Sequence, residues 1–109
     1  MEVVRELLKA GADHSIGYKN SNSTALFLAA QNGHLDVVRE LIKAGARVNA
    51  ERIDIGAVPL TVSAERGHLE VVRELIKAGA NVNHARLNDG TTPLIWAAIK
   101  VCINKIFTF

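Results

Sequence analysis

The chain has few cysteine and aromatic residues. It has 109 residues, about one domain in length. Its one cysteine, Cys102, excludes an internal disulfide framework and a zinc site made of several cysteines. Aromatic residues make up 5% of the chain, so any core must be built from Ala, Val, Leu and Ile. No apolar run reaches the roughly 18 residues that span a bilayer. The first residues also lack the basic and apolar regions of a secretory signal, so we expect an intracellular, cytoplasmic protein.

Charge of one sign is also lacking. Thirteen Lys and Arg against 11 Asp and Glu leave a formal net charge of +2. This balance is too even to attract nucleic acid or an anionic membrane by bulk electrostatics, and we expect neither as a partner. Nucleic-acid binding remains the weakest alternative, through five scattered basic residues: Lys19, Arg47, Arg52, Arg66 and Arg86.

What the chain does contain is self-similarity at a constant shift of 34 residues. The block from Glu2 to Leu7 recurs at 36–41 and 70–75, and the block at 9–12 recurs at 43–46 and 77–80. A third block, at 24–26, recurs at 58–60 and 92–94. Three blocks that keep one period indicate a repeat protein.

Each unit is predicted to contain two helices. In the second helix, apolar residues at 35, 38, 41 and 42 share one face, and Gly45 follows where a left-handed residue closes the last turn. The first helix begins at Thr92-Pro93, where threonine can cap the helix and proline loses no hydrogen bond. Val58 replaces the threonine in another copy, which should lose about 1 kcal/mol of cap stabilisation.

The stretches that join the units, at 12–23, 46–57 and 80–91, are mostly polar. Gly56 and Gly90 stand two residues before a helix start and predict a tight turn there, because glycine tolerates positive φ. Each stretch is therefore predicted to form a protruding hairpin loop.

This order of helix, turn, helix and hairpin loop resembles the ankyrin repeat. The resemblance covers roughly residues 2–100 and implies an all-α solenoid of helix-turn-helix units joined by β-hairpin-like loops. It divides the chain into a partial unit at 1–12, a loop and unit at 13–46, a loop and unit at 47–80, and a partial unit with an atypical tail at 81–109. The motifs that carry it are Thr92-Pro93-Leu94, Ala29-Ala30, Gly33-His34-Leu35, Gly67-His68-Leu69, Val71-Val72, Leu75-Ile76 and Gly79-Ala80-Asn81-Val82-Asn83.

Two departures from the family pattern stand out. The histidine usual after Thr-Pro-Leu is Phe27, Thr61 and Ile95 here, and the last copy lacks the Gly-His turn. The final helix is predicted to run on to about residue 106 with an apolar side. Repeat arrays need polar ends, so either the tail at 101–109 folds back as a cap, or the uncapped ends associate with another chain.

No set of residues points to catalysis. The sequence has no paired carboxylates, phosphate-cradling glycine loop or Ser-His-Asp set, and Cys102 has no partner base at a recognisable spacing. We therefore expect no enzyme, cofactor or metal. His34 and His68 occupy equivalent positions, but stacked helices lie about 8–10 Å apart, too far for one shared zinc ion, so we expect backbone hydrogen bonds at the turns.

A charged pair, Arg5-Glu6, recurs at 39–40 and 73–74. A stripe of this kind can serve as a docking surface. More often it is a solvated face whose pairs at spacing i,i+3, such as Glu70 with Arg73, contribute a few tenths of a kcal/mol. We expect a solvated face here.

The resemblance implies non-enzymatic protein–protein recognition through a concave groove formed by the loop tips and the inner helix surface. The alternative is a fragment or degenerate piece of a longer array with only a structural, stacking role. Positions that differ between copies are the candidates for partner binding, although unconstrained positions vary too. Tyr18, Arg52 and Arg86 are of the types most often found as interface anchors. The full set is Tyr18, Lys19, Asn20, Gln31, Asn32, Arg52, Ile53, Asp54, Glu65, Arg66, Arg86, Leu87 and Asn88.

Overall fold

A computed structural model describes residues 2–17, 24–52 and 56–107, with side chains described as far as residue 101. The described residues form six helices and no strand, so the predicted all-α architecture is confirmed. We call α2, α4 and α6 the inner helices and α1, α3 and α5 the outer helices. The helices are α1 (Glu2–Lys9), α2 (Ala25–Gln31), α3 (Leu35–Lys43), α4 (Pro59–Arg66), α5 (Leu69–Lys77) and α6 (Pro93–Phe107).

The helices stack in two rows. α4 packs against both α2 and α6 in the inner row, and α3 packs against α5 in the outer row. Short turns join α2 to α3 and α4 to α5, which places each outer helix beside its own inner helix. The result is an elongated molecule with principal extents of 48 × 29 × 23 Å.

Threonine oxygens cap two of the three inner helices. Thr24 Oγ1 accepts a hydrogen bond from the Phe27 amide at 3.3 Å, and Thr92 Oγ1 accepts one from the Ile95 amide at 3.4 Å. Val58 precedes α4 without a side-chain cap, as its sequence predicts. Proline stands at the start of α4, where its missing N–H costs no helical hydrogen bond.

The core lies in the middle of the array, between the two rows. Leu26, Leu60 and Leu75 are each 1% exposed or less, while α1 buries no residue. Phe27, at the position where the ankyrin family has histidine, is 2% exposed and is the largest of the fully buried side chains. At this one position an apolar side chain packs into the core; at the equivalent positions Thr61 is a buried polar residue and Ile95 is 43% exposed.

The turn between α2 and α3 depends on glycine. Gly33 has φ of +71°, and a Cβ placed on it would lie 2.6 Å from Nδ1 of His68. The ring of His68 therefore rests against the glycine backbone, and its Nε2 lies 3.1 Å from the carbonyl oxygen of Gln31. The prediction that this histidine bonds to backbone is confirmed, and the bond links two successive units.

The loops that precede α4 and α6 are each closed by a backbone hydrogen bond. The Arg52 amide donates to the Ala57 carbonyl at 2.7 Å, and the Arg86 amide donates to the Thr91 carbonyl at 2.9 Å. Gly56 and Gly90 have φ of +68° and +69°, which confirms the tight turns predicted at both. In the described residues this pairing amounts to one isolated β-bridge, Arg52 to Ala57, so the loops are hairpin-like without true strands.

The last helix, α6, runs on to Phe107 as one element, so residues 101–107 do not fold back over the array. No outer helix within the described range follows α6. Leu94 is accordingly 77% exposed, whereas the equivalent Leu26 and Leu60 are each 1% exposed. No helix among the described residues is long and apolar enough to span a membrane.

Candidate functional site

The candidate residues lie at the ends of inner helices and in the hairpin loops. Glu65 and Arg66 end α4, and the candidates at 86–88 lie in the following loop. Five others lie outside the described residues: Tyr18, Lys19, Asn20, Ile53 and Asp54.

The structure brings two of the candidates into contact around a tryptophan. Nη1 of Arg86 lies 3.3 Å from Oε2 of Glu65, and the Arg86 guanidinium lies over the Trp96 ring, 5.4 Å from its centroid. The Arg86 side chain is 11% exposed. A loop residue is thus held against α4 on one side and α6 on the other by an ion pair and a cation–π contact.

A chain of hydrogen bonds ties the same loop to α6. Trp96 Nε1 donates to Thr91 Oγ1 at 2.8 Å, and that hydroxyl donates to Asp89 Oδ1 at 2.6 Å. The Thr91 amide donates to the same carboxylate oxygen at 3.0 Å. These hydrogen bonds lower the pKa of Asp89 below its ordinary value. The bond from the Thr91 hydroxyl has the largest effect, and the bond from the Thr91 amide has the next largest. We call Glu65, Arg86, Asp89, Thr91 and Trp96 the Arg86 cluster.

Beyond this cluster the loop tip faces solvent. Leu87 is 75% exposed, and Asn88 is exposed as well. The inner side of Leu87 lies close to the preceding loop, because a Cβ on Gly56 would be 2.6 Å from Leu87 Cγ. Successive loops therefore contact each other, and the tip presents an apolar side chain on a supported backbone.

Three other candidates make hydrogen bonds within the scaffold. The Gln31 carbonyl accepts from His68, and Asn32 Nδ2 donates to the Leu28 carbonyl at 2.9 Å. Arg52 closes its hairpin through its backbone. Arg86, one of the basic residues considered for phosphate contact, is engaged by Glu65.

The charged residues of the outer helices form ion pairs between neighbouring helices. Arg5 Nε lies 3.4 Å from Glu40 Oε1, and Arg39 Nη2 lies 3.3 Å from Glu74 Oε1. Each pair joins one outer helix to the next. These cross-helix pairs add to the expected solvated face, in which Glu70 pairs with Arg73 at 2.9 Å as predicted.

Sequence reasoning missed both the cross-unit pairs and the contacts of Trp96. In each pair the arginine stands 35 residues before its glutamate, one period plus one, but only the stacking of the helices shows that this spacing brings the two side chains together. In the part of the chain that the structure describes, no three potential metal ligands cluster together.

Comparison with models of known protein families identifies a match. The family model described as ankyrin repeats, in three copies, matches residues 1–52 and 50–107. No curated protein sequence matches the chain. The matched ranges include all six helices and both described hairpins.

Proposed function

The chain belongs to the ankyrin-repeat family, whose members are generally non-enzymatic protein–protein interaction modules, and on this premise we propose that it binds a protein partner through its loop tips and the adjacent ends of the inner helices. The observation that carries the proposal is the loop at 86–91. Its backbone is held by the Arg86 cluster, while Leu87 stays 75% exposed at its tip.

Binding is more favourable when the binding loop is already ordered. A loop that is already held by an ion pair, a cation–π contact and a hydrogen-bond chain loses little conformational freedom when a partner binds. Leu87, Asn88 and Arg66 then supply contact area and polar groups without rearrangement of the scaffold. In this arrangement Arg86 supports the surface from beneath, and Leu87 replaces it as the expected anchor.

The test compares two triple variants in quantitative affinity capture from cells. The first, Arg66→Ala with Leu87→Ser and Asn88→Ala, removes exposed side chains of the proposed surface. The second, Asp36→Ala with Lys43→Ala and Lys77→Ala, is a control that removes exposed charges from the outer helices. We expect partners captured by the unchanged protein to lose roughly tenfold or more in binding to the first variant only, the range of an interface hot spot. Partners that bind both variants equally, or that are lost with the control alone, would overturn the proposal.

We also propose that the protein self-associates through its exposed ends. Val3 on α1 is 71% exposed, and Leu94 on α6 is 77% exposed. Clustered apolar side chains at a solvent boundary favour burial against another surface. This second proposal concerns different residues from the loop tips, so both can hold together.

A further inference from the structure

We propose that α1 of one copy docks beside α6 of a second copy, so that α6 and the incoming α1 complete one repeat unit. Copies would then stack head to tail. The inference rests on the self-association part of the proposed function and is independent of partner binding at the loop tips.

The receiving edge is formed by α5 and α6. Leu69 and Ile76 on α5 are 57% and 47% exposed, whereas the equivalent Leu35 and Ile42 on α3 are partly buried and pack against the core. α3 is covered by the next outer helix, α5, while α5 has no such neighbour in the described part of the chain. A cleft of about 250 Å³ opens along this edge, lined in part by Ala64, Leu69, Val72, Ala97, Lys100 and Val101.

The docking helix, α1, has an exposed apolar face that can pack against this edge. In α5, Val71 and Leu75 are 1% and 0% exposed. Their equivalents in α1, Val3 and Leu7, are 71% and 55% exposed. The block from Glu2 to Leu7 is identical in sequence to that of α5 from Glu70 to Leu75. α1 therefore presents the side chains that an outer helix buries, without burying them.

Charged residues on the outer helices favour one alignment of α1 of the second copy against α5. Two ion pairs join neighbouring outer helices: Arg5 of α1 with Glu40 of α3, and Arg39 of α3 with Glu74 of α5. We call this series the cross-unit ladder. The arginine that would form the next pair is Arg73 of α5. One period plus one after Arg73 the sequence has Thr108, which carries no charge. Glu6, at the other end, has its side chain 73% exposed, against 25% for Glu40 and 21% for Glu74. A stacked α1 places Glu6 of the second copy opposite Arg73 and continues the ladder.

A second polar contact follows from the same register. Asn49 bridges two units, since its Oδ1 accepts from the Asn81 amide at 2.8 Å and its Nδ2 lies 3.4 Å from the Gly79 carbonyl oxygen. Asn83, one period after Asn49, is exposed. The stacked arrangement puts it opposite the amide of Asp13 and the carbonyl of Gly11 in the second copy. A two-fold contact between identical edges would leave α1 and Glu6 uncovered, so the complementarity favours the head-to-tail arrangement.

The experiment is sedimentation velocity on the whole chain between about 10 and about 500 μM, where association by mass action is visible. We expect the sedimentation coefficient to rise with concentration. Glu6→Arg and Arg73→Glu should each weaken association roughly tenfold, because each places like charges opposite one another. An equimolar mixture of the two variants, and the double variant Glu6→Arg with Arg73→Glu, should each associate again. Opposite charges face each other at every contact of the double variant, and in the mixture at every contact between the two different variants.

Lys43→Glu on α3 is the matched control, since it changes the net charge as Arg73→Glu does but lies in the middle of the array. It should leave association unchanged, and circular dichroism should show that all variants keep their helix content. A protein that stays monomeric over the whole range would overturn self-association and this inference together. Association that ignores the charge reversals, or is not restored by the mixture, would overturn the head-to-tail arrangement alone. Neither result bears on capture of a partner by the loop tips.

Discussion

At the scale of single residues, Thr91 connects a tryptophan to a carboxylate. Its hydroxyl accepts from Trp96 Nε1 and donates to Asp89, so each of its hydrogen-bonding roles is used. The hydroxyl bond is the largest cause of the lowered pKa of Asp89, so this pKa depends on the position of the Thr91 side chain. The same pattern holds at Asp13, where the hydroxyl and amide of Ser15 lower the pKa of the carboxyl group.

We predict that Thr91→Val raises the pKa of Asp89 towards its ordinary value of 3.8. The variant removes the hydroxyl donor and keeps the amide, and it leaves Trp96 Nε1 without its acceptor. Thr91→Ser, which keeps the hydroxyl, is the control and should retain the lowered pKa. Carboxyl-carbon chemical shifts followed by NMR through an acid titration measure both values. An unchanged pKa in the valine variant would show that the hydroxyl bond is unimportant.

The sign of the accompanying pH dependence follows from linkage. The native pKa of Asp89 lies below its unfolded-state value, so the unfolded chain binds the proton more readily. The stabilisation is complete at pH values above the unfolded-state pKa and is lost as the pH falls through the lower native pKa. In the valine variant this loss on acidification should shrink.

Contacts of this kind are the part of the candidate site that the sequence could not predict. Glu65 and Arg86 both lie at positions that differ between copies, but no pattern in the sequence indicates that they touch each other. Their contact depends on the path of a loop across two units and on Trp96, which occurs once in the chain. The other copies have Leu28 and Val62 where this copy has Trp96, so comparing the copies does not predict the contacts of an indole ring at this position.

At the scale of helices, the sequence predicts correctly those features that depend only on neighbouring residues in the chain. The caps at Thr24 and Thr92, the uncapped start at Val58 and the run-on of α6 all follow from residues adjacent to them. The pairing of Arg39 with Glu74 was missed because it depends on the offset between neighbouring outer helices. That offset is a property of stacking and is not contained in either helix.

We predict that Thr24→Val lowers the free energy of unfolding by about 1 kcal/mol, since it removes the oxygen that accepts from the Phe27 amide at 3.3 Å. Valine has nearly the same shape, so the packing of this buried position changes little. Thr24→Ser keeps the oxygen and should recover most of the loss. Urea denaturation followed by circular dichroism measures the difference. Equal stability of the valine variant and the unchanged protein would mean that the cap contributes nothing.

At the scale of the whole molecule, burial is concentrated in the middle of the array. α4 buries its residues from Pro59 to Ala64, whereas α1 buries none. In a stacked array each unit contacts only its neighbours, so stability approximates a sum of unit and interface contributions. A helix with neighbours on two sides therefore opens less often than one at an edge.

We predict a gradient of amide hydrogen exchange along the chain, with the amides of α4 the most protected and those of α1 the least. Exchange followed by mass spectrometry on peptic peptides measures it, at a concentration low enough to avoid association. Repeating the measurement at high concentration separates two causes of the gradient. If α1 is weakly protected only because its apolar face is uncovered, stacking should slow exchange in α1 and α6 and leave α4 unchanged. Uniform protection across the array at low concentration would contradict the gradient, because the chain would then open as one cooperative unit.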